Sequence, residues 1–160
     1  MNVNEIMSTN VKTCNVDTSL DEAARMMWDH DCGAIPVVNS KNKPIGIITD
    51  RDIAMAAMHR HLPLWDMSAG ELIKGQHPVC SHQEDPLASC LQKMEQNGVR
   101  RILVTNQNGS LAGIISMGDI LAFTSSRQNA AKSVGFGQVL SMLQHVSGHH
   151  APTAGALAAQ

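Results

Sequence analysis

The chain is poor in aromatic residues: two Phe, two Trp and no Tyr among 160 positions. Its core must therefore be aliphatic, built from Ile, Leu, Val, Ala and ten Met. Base-stacking nucleic-acid modules, which need aromatic platforms, are disfavoured. A surplus of one charge is also missing. A formal net charge of -2, with Lys and Arg scattered along the chain, supplies no basic field for DNA, RNA or anionic lipid. No apolar run approaches membrane-spanning length, and Met1–Met7 lacks the pattern of a secretory signal, so a cytoplasmic protein is expected. Cys14, Cys32, Cys80 and Cys90 form no C-x-x-C pair and sit among aliphatic residues, which favours free thiols over disulfides or a structural zinc site. No Walker loop, G-x-G-x-x-G, nucleophile elbow or H-E-x-x-H is present, so no catalytic residues are assigned.

What the sequence does have is an internal repeat. Shifting the chain by 67 positions lays Leu20–Ala54 on Leu87–Leu121 without a gap, with ten identities; chance would give roughly two. The pairs include Gly46/Gly113 and Asp52/Asp119 as well as core-type residues. Each copy opens with a helical stripe, Leu20, Ala23, Ala24 and Met27 or Leu87, Cys90, Leu91 and Met94. Ser19 with Glu22 reads as a capping box; Asp85 before Pro86 reads as a cap and a first-turn proline. Gly33 and Gly98 are candidates for left-handed helix ends. Apolar runs Ile35–Val38 and Ile45–Ile48, or Ile102–Val104 and Leu111–Ile115, flank polar turns and predict hairpins. A second helix starts at Asp50–Asp52 or Met117–Asp119, and a short strand precedes each unit near Val11–Val16 or Val79–Ser81. The expected class is α/β (α+β), two pseudo-twofold repeats, each a three-stranded sheet with helices on one face. The expected divisions are 1–62, a linker 63–75, 76–124, and a tail 125–160 holding a short helix (Val139, Leu140, Leu143, Val146) and then a disordered end. Trp28 and Trp65 are read as packing residues.

Gly46–Asp52 (G-I-I-T-D-R-D) and Gly113–Asp119 (G-I-I-S-M-G-D) resemble the strand-end motif of cystathionine-β-synthase-type (CBS) repeats, supported by Gly33–Val37 and Val99–Val104. The resemblance spans about residues 2–123. It implies a disc with two clefts that bind an adenosine-containing ligand such as AMP, ADP, ATP, NAD or S-adenosylmethionine. It also implies a homodimer and a regulatory role toward an unknown partner. A hydroxyl, Thr49 or Ser116, stands at a helix mouth where backbone N–H groups and the dipole suit a phosphate. Asp52 or Asp119, three residues on, suits the ribose hydroxyls. The alternative for both pairs is plain helix capping. By resemblance the adenine slot uses Thr13, Cys14, Val16, Ala34, Ile35 and Pro36 in copy one, and Val79, Cys80, Arg101, Ile102 and Leu103 in copy two; core packing is the alternative for the aliphatics. Arg51, Arg100 and Arg101 are the phosphate candidates. Copy two has Met117-Gly118 in place of Asp50-Arg51, so unequal clefts are expected, with copy one the stronger. Two other readings stay open: a metal site using His77, Cys80 and His82, and a structural pair without ligand.

Overall fold

The structure, a computed structural model, describes residues 1–125 and 136–147. Copy one runs α1 (Leu20–Asp29), β1 (Ala34–Val38), β2 (Pro44–Thr49) and α2 (Asp50–Arg60). A one-turn helix α3 (Ala69–Leu72) leads into copy two: β3 (Cys80–His82), α4 (Leu87–Asn97), β4 (Arg101–Thr105), β5 (Leu111–Ser116) and α5 (Met117–Ser125). The last element is α6 (Phe136–Ser147). The α+β class and paired organisation are as the repeat predicts. The expected end of the tail, 148–160, lies outside the described residues.

Both hairpins form in the same register, Ile35 opposite Ile48 and Ile102 opposite Ile115, each with a bulge one residue before the strand end. Two left-handed positions recur at the 67-residue spacing. Asp31 (φ 48) matches Gly98 (φ 61) after the first helix, and Asn42 (φ 55) matches Gly109 (φ 74) in the hairpin turn. Gly33 is therefore not the helix end; Asp31 has that role. Copy two has the three-stranded sheet, with β3 parallel to β4. In copy one the third strand shrinks to one parallel bridge, Cys14 to Val37. The cause is local. Asn15 Oδ1 accepts the Asp17 N–H at 2.8 Å, an Asx turn that bends the chain away after Cys14. Ser19 caps α1 through Glu22 N–H. Asp85 does not cap α4; its Oδ2 accepts from His82 N–H, Ser81 Oγ and Lys93 Nζ instead.

The two copies exchange arms. Residues 1–8, assigned to the first repeat by sequence, dock on copy two, and Val3 is fully buried in its core. Met67, Ala69 and Ile73, assigned to the linker, are buried in the copy-one core. The two dockings repeat bond for bond. Leu87, Val3 and Asn4 N–H groups donate to Met1, Asp85 and Gln83 carbonyls, as Leu20, Ala69 and Gly70 donate to Met67, Thr18 and Val16. The arms carry matching capping boxes, Asn2 with Glu5 and Ser68 with Glu71. The paired glycines make room for them. A Cβ on Gly46 would lie 2.6 Å from Ile73 Cγ2, and one on Gly113 would lie 2.7 Å from the Ser8 carbonyl oxygen. Ser8 also bridges Ile114 through bonds of 2.9 and 3.0 Å, lengthening the copy-two sheet by one residue.

The copies meet at their hairpin turns, where Leu111 N–H donates to Asn42 O at 2.8 Å. The tail helix α6 packs on α4 and α5, burying Val139, Met142 and Val146. Its stripe is rotated from the expected one: Met142 is buried, while Leu140 is 44% exposed. Trp28 (86% exposed) and Trp65 (69% exposed) are not packing residues, contrary to expectation.

Candidate functional site

The two motifs fold alike. Thr49 N–H and Oγ donate to Asp52 Oδ2 at 2.8 and 2.7 Å, and Thr49 Oγ accepts Asp52 N–H at 3.2 Å. Ser116 and Asp119 repeat this at 2.7, 2.6 and 3.2 Å. Each pair is a closed capping box, so both aspartates do the capping that was the alternative to ligand binding. One carboxylate oxygen stays outside each box. Among the described residues Asp119 Oδ1 takes one long contact, 3.4 Å from Ser8 Oγ, a position a ribose hydroxyl can take over.

The helix mouths differ. At α2 the Asp50, Arg51 and Asp52 N–H groups already have acceptors: Gly33 O, the Asp50 carboxylate and Thr49 Oγ. Asp50 also sets a negative charge where a phosphate would go. At α5 Met117 N–H is bonded to Arg100 O and Asp119 N–H to Ser116 Oγ, while Gly118 N–H has no acceptor among the described residues. The exchange of Asp50-Arg51 for Met117-Gly118 thus removes a carboxylate and leaves an amide open.

A cleft of about 360 Å³ opens at the copy-two motif, lined by Ser116, Asp119, Ile114 and Arg101 from copy two. His30, Asp31, Cys32, Gly33 and Ala34 come from copy one, and Ser8, Asn10, Val11 and Lys12 from the docked arm and the segment joining it to copy one. Arg101 reaches across the pseudo-twofold: a Cβ on Gly33 would lie 3.4 Å from its Nη2. Cation, hydroxyl, carboxylate and apolar wall therefore face one space.

Of the residues named from sequence, Ala34, Arg101, Ser116 and Asp119 line this cleft. Ile35, Ile102 and Leu103 are essentially without exposed surface and pack in the interior. Pro36 is buried, Val79 packs against the copy-two core, and Val16 points to solvent at 41% exposure. Thr13 is half-buried beside buried Cys14, whose thiol burial pushes up to about 11, with Glu22 adding to the effect. Thr49 and Asp52 are half-buried in their own box, and Arg51 is exposed. Arg100 does not face the cleft; its Nε donates to Val146 O at 3.3 Å at the end of α6. Ser8 to Lys12 were missed because the arms cross between copies. Their one trace in the sequence is the pair of capping boxes, spaced 66 rather than 67 residues.

Cys80, named for the adenine slot and in the alternative reading as a metal ligand, does not line the cleft; its thiol is raised by burial and lies 3.6 Å from Pro78 O. His82 Nδ1 accepts from Glu84 N–H at 3.3 Å. Among the described residues no three His, Cys, Asp or Glu side chains converge as a metal site would need. No helix among them is long and apolar enough to cross a membrane.

The CBS domain profile matches residues 3–66 and 69–126, and the chain belongs to that family. Among curated relatives, the CBS domain-containing protein YhcV of Bacillus subtilis is 32% identical over 136 residues, covering 82% of this chain and 91% of that protein. An uncharacterized protein of Methanopyrus kandleri, MK0525, is 31% identical over 122 residues, 76% of this chain but only 61% of its own length. Solved structures share the fold. Hypoxic Response Protein I with two coordinated zinc ions superposes with TM-score 0.69 at 29% identity, over 76% of this chain and 98% of that one. The CBS domain protein PAE2072 of Pyrobaculum aerophilum complexed with AMP gives 0.70 at 21%, over 82% and 97%. The CBS pair of MJ0100, in complex with 5′-methylthioadenosine and S-adenosyl-L-methionine, gives 0.66 at 23%, over 83% and 98%.

Proposed function

We propose that this chain is a regulatory module without catalysis of its own, binding an adenosine-containing ligand in the cleft at Ser116 and Asp119. The observation that carries the reading is the convergence there of the Asp119 carboxylate, the Ser116 hydroxyl and Arg101 around about 360 Å³, with the open Gly118 amide beside Asp119 in the chain. Asp119 Oδ1 holds the ribose hydroxyls. Gly118 N–H and the start of α5 receive a phosphate, with Arg101 and Lys12 as its cations. Ala34, Val11 and Ile114 form the apolar side for adenine. The volume is near the lower end of the roughly 300–1,000 Å³ range of small-molecule pockets. That favours a mononucleotide such as AMP over NAD, with ADP, ATP and S-adenosylmethionine between them. Ligand-bearing relatives of the same fold support the adenosine class. A cytoplasmic homodimer acting on a protein partner completes the proposal.

The experiment is a thermal melt with each ligand. At about 100 times its dissociation constant, a ligand adds roughly 2.7 kcal/mol, a shift of several degrees. AMP is expected to outperform GMP; indifference to every adenosine ligand overturns the reading.

A further inference from the structure

The cleft carries charge of both signs where the two copies meet. Lys12 and Arg101 are the Lys and Arg of its lining, and Asp31 lines it beside Gly33. Asp50 reaches the same place. Its N–H donates to Gly33 O at 3.4 Å, because Gly33 and Asp50 continue the β1–β2 pairing one residue beyond Ala34 and Thr49. A Cβ on Gly33 would lie 3.2 Å from Asp50 Oδ2 and 3.4 Å from Arg101 Nη2. Carboxylate and guanidinium therefore flank one point, and neither aspartate has an ion-pair partner among the described residues. Building on the adenosine reading of this cleft, we propose that Asp31 and Asp50 determine its specificity, admitting a ligand with one phosphate and disfavouring di- and triphosphates.

With Asp119 holding the ribose, the cations left for a phosphate are Lys12 and Arg101, enough for one group of about two negative charges. A second and third phosphate would add charge beside Asp31 and Asp50, with no further Lys or Arg in the lining to offset it. The two acids belong to copy one alone. At the 67-residue spacing Asp31, Gly33 and Asp50 correspond to Gly98, Arg100 and Met117, so the matching place in copy two has a cation and neither carboxylate. Asp31 keeps a left-handed backbone, φ 48, where copy two uses glycine. Asp50 is fixed by its Oδ1, which accepts the Arg51 N–H at 2.7 Å and leaves Oδ2 beside Gly33.

Calorimetric titration of the full chain with AMP, ADP and ATP, in EDTA at about pH 8 where the phosphates are ionised, compares the parent with Asp31→Asn plus Asp50→Asn. Asn tolerates the left-handed backbone at position 31 and keeps an acceptor for the Arg51 amide at position 50. The parent is expected to bind ATP about tenfold more weakly than AMP, with ADP between. The double variant should raise ATP affinity about tenfold and AMP affinity about threefold or less. Asp17→Asn with Asp66→Asn makes the same change in net charge away from the cleft lining and should leave the AMP-to-ATP ratio where it was. If the double variant melts early, Asp31→Gly, the copy-two residue, is read alone and should move the ratio about threefold. Parental affinity for ATP equal to or above that for AMP, a ratio that loss of the carboxylates does not move, or a ratio that the distant pair moves as far would overturn the charge filter while leaving adenosine binding in place. No binding of AMP, ADP or ATP by the parent would overturn the adenosine reading and this inference with it.

Discussion

Asp119→Ala separates ligand binding from helix capping, because Asp52 makes the same cap without the same cleft. Each aspartate accepts two bonds from its own Thr or Ser, so either alanine variant should lose about 1 kcal/mol of stability, as for other N-terminal caps. Affinity should behave differently. Two ribose hydroxyls donating to a carboxylate contribute about 3 kcal/mol together, so Asp119→Ala should weaken AMP roughly 100-fold. Asp52→Ala should change AMP affinity by less than about threefold, since the Asp50 carboxylate and the filled amides of α2 leave its mouth unsuited to phosphate. Asp119→Asn, which keeps a capping oxygen but not the charge, should melt like the parent and bind about tenfold more weakly. Calorimetric titration with AMP, paired with urea melts, measures both quantities on each variant. Equal affinity losses at Asp52 and Asp119, or loss at Asp52 alone, would refute the asymmetry; no loss at either would make both aspartates caps and nothing more.

The scaffold offers its own tests. Gly113→Ala places a Cβ 2.7 Å from a backbone carbonyl of the arm, and a loss of about 1–3 kcal/mol in urea melts is expected; a neutral result would mean the arm is not seated there. Deleting residues 1–8 uncovers the core around Val3 and should broaden the melt and abolish AMP binding together, as calorimetry would read. The Asp85 carboxyl is held at about 2: burial opposes this, but the His82 amide, Lys93 and Ser81 outweigh it. A lowered folded value contributes stability above the unfolded range near 4 that is lost as pH falls toward 2, so Lys93→Met should flatten that arm of the pH–stability curve. Cys14 and Cys90, both pushed to about 11 by burial, should resist thiol reagents until urea unfolds the chain; fast labelling in native buffer would contradict their packing.

Much of the fold was legible because the repeat states it twice. Leu20, Ala23 and Met27, like Leu87, Cys90, Leu91 and Met94, are buried as their spacing requires, and both hairpins close in equivalent registers. The arm exchange was not legible. Arm and helix are joined by a stretch one residue longer in copy two, which breaks the 67-residue alignment, and periodicity does not report which copy a segment lands on. The cleft was half legible. Ser116, Asp119 and Arg101 are named by the motif and its neighbour, whereas Ser8 to Lys12 arrive through the docked arm. The contrast between the two helix mouths was not legible, because sequence shows Asp50 and Arg51 only as a charged pair. In the fold Asp50 takes the Arg51 amide, whereas Gly118 N–H has no acceptor among the described residues.

An adenosine ligand at the copy-two motif is tested most directly by amide chemical shifts during AMP titration of the full chain. Saturable shifts are expected at Ser8–Lys12, Gly33–Ala34, Arg101 and Ser116–Asp119, with Gly118 among the largest as its N–H gains an acceptor, and little movement at Thr49–Asp52. Shifts centred on Thr49–Asp52, or none at any AMP concentration, would contradict it.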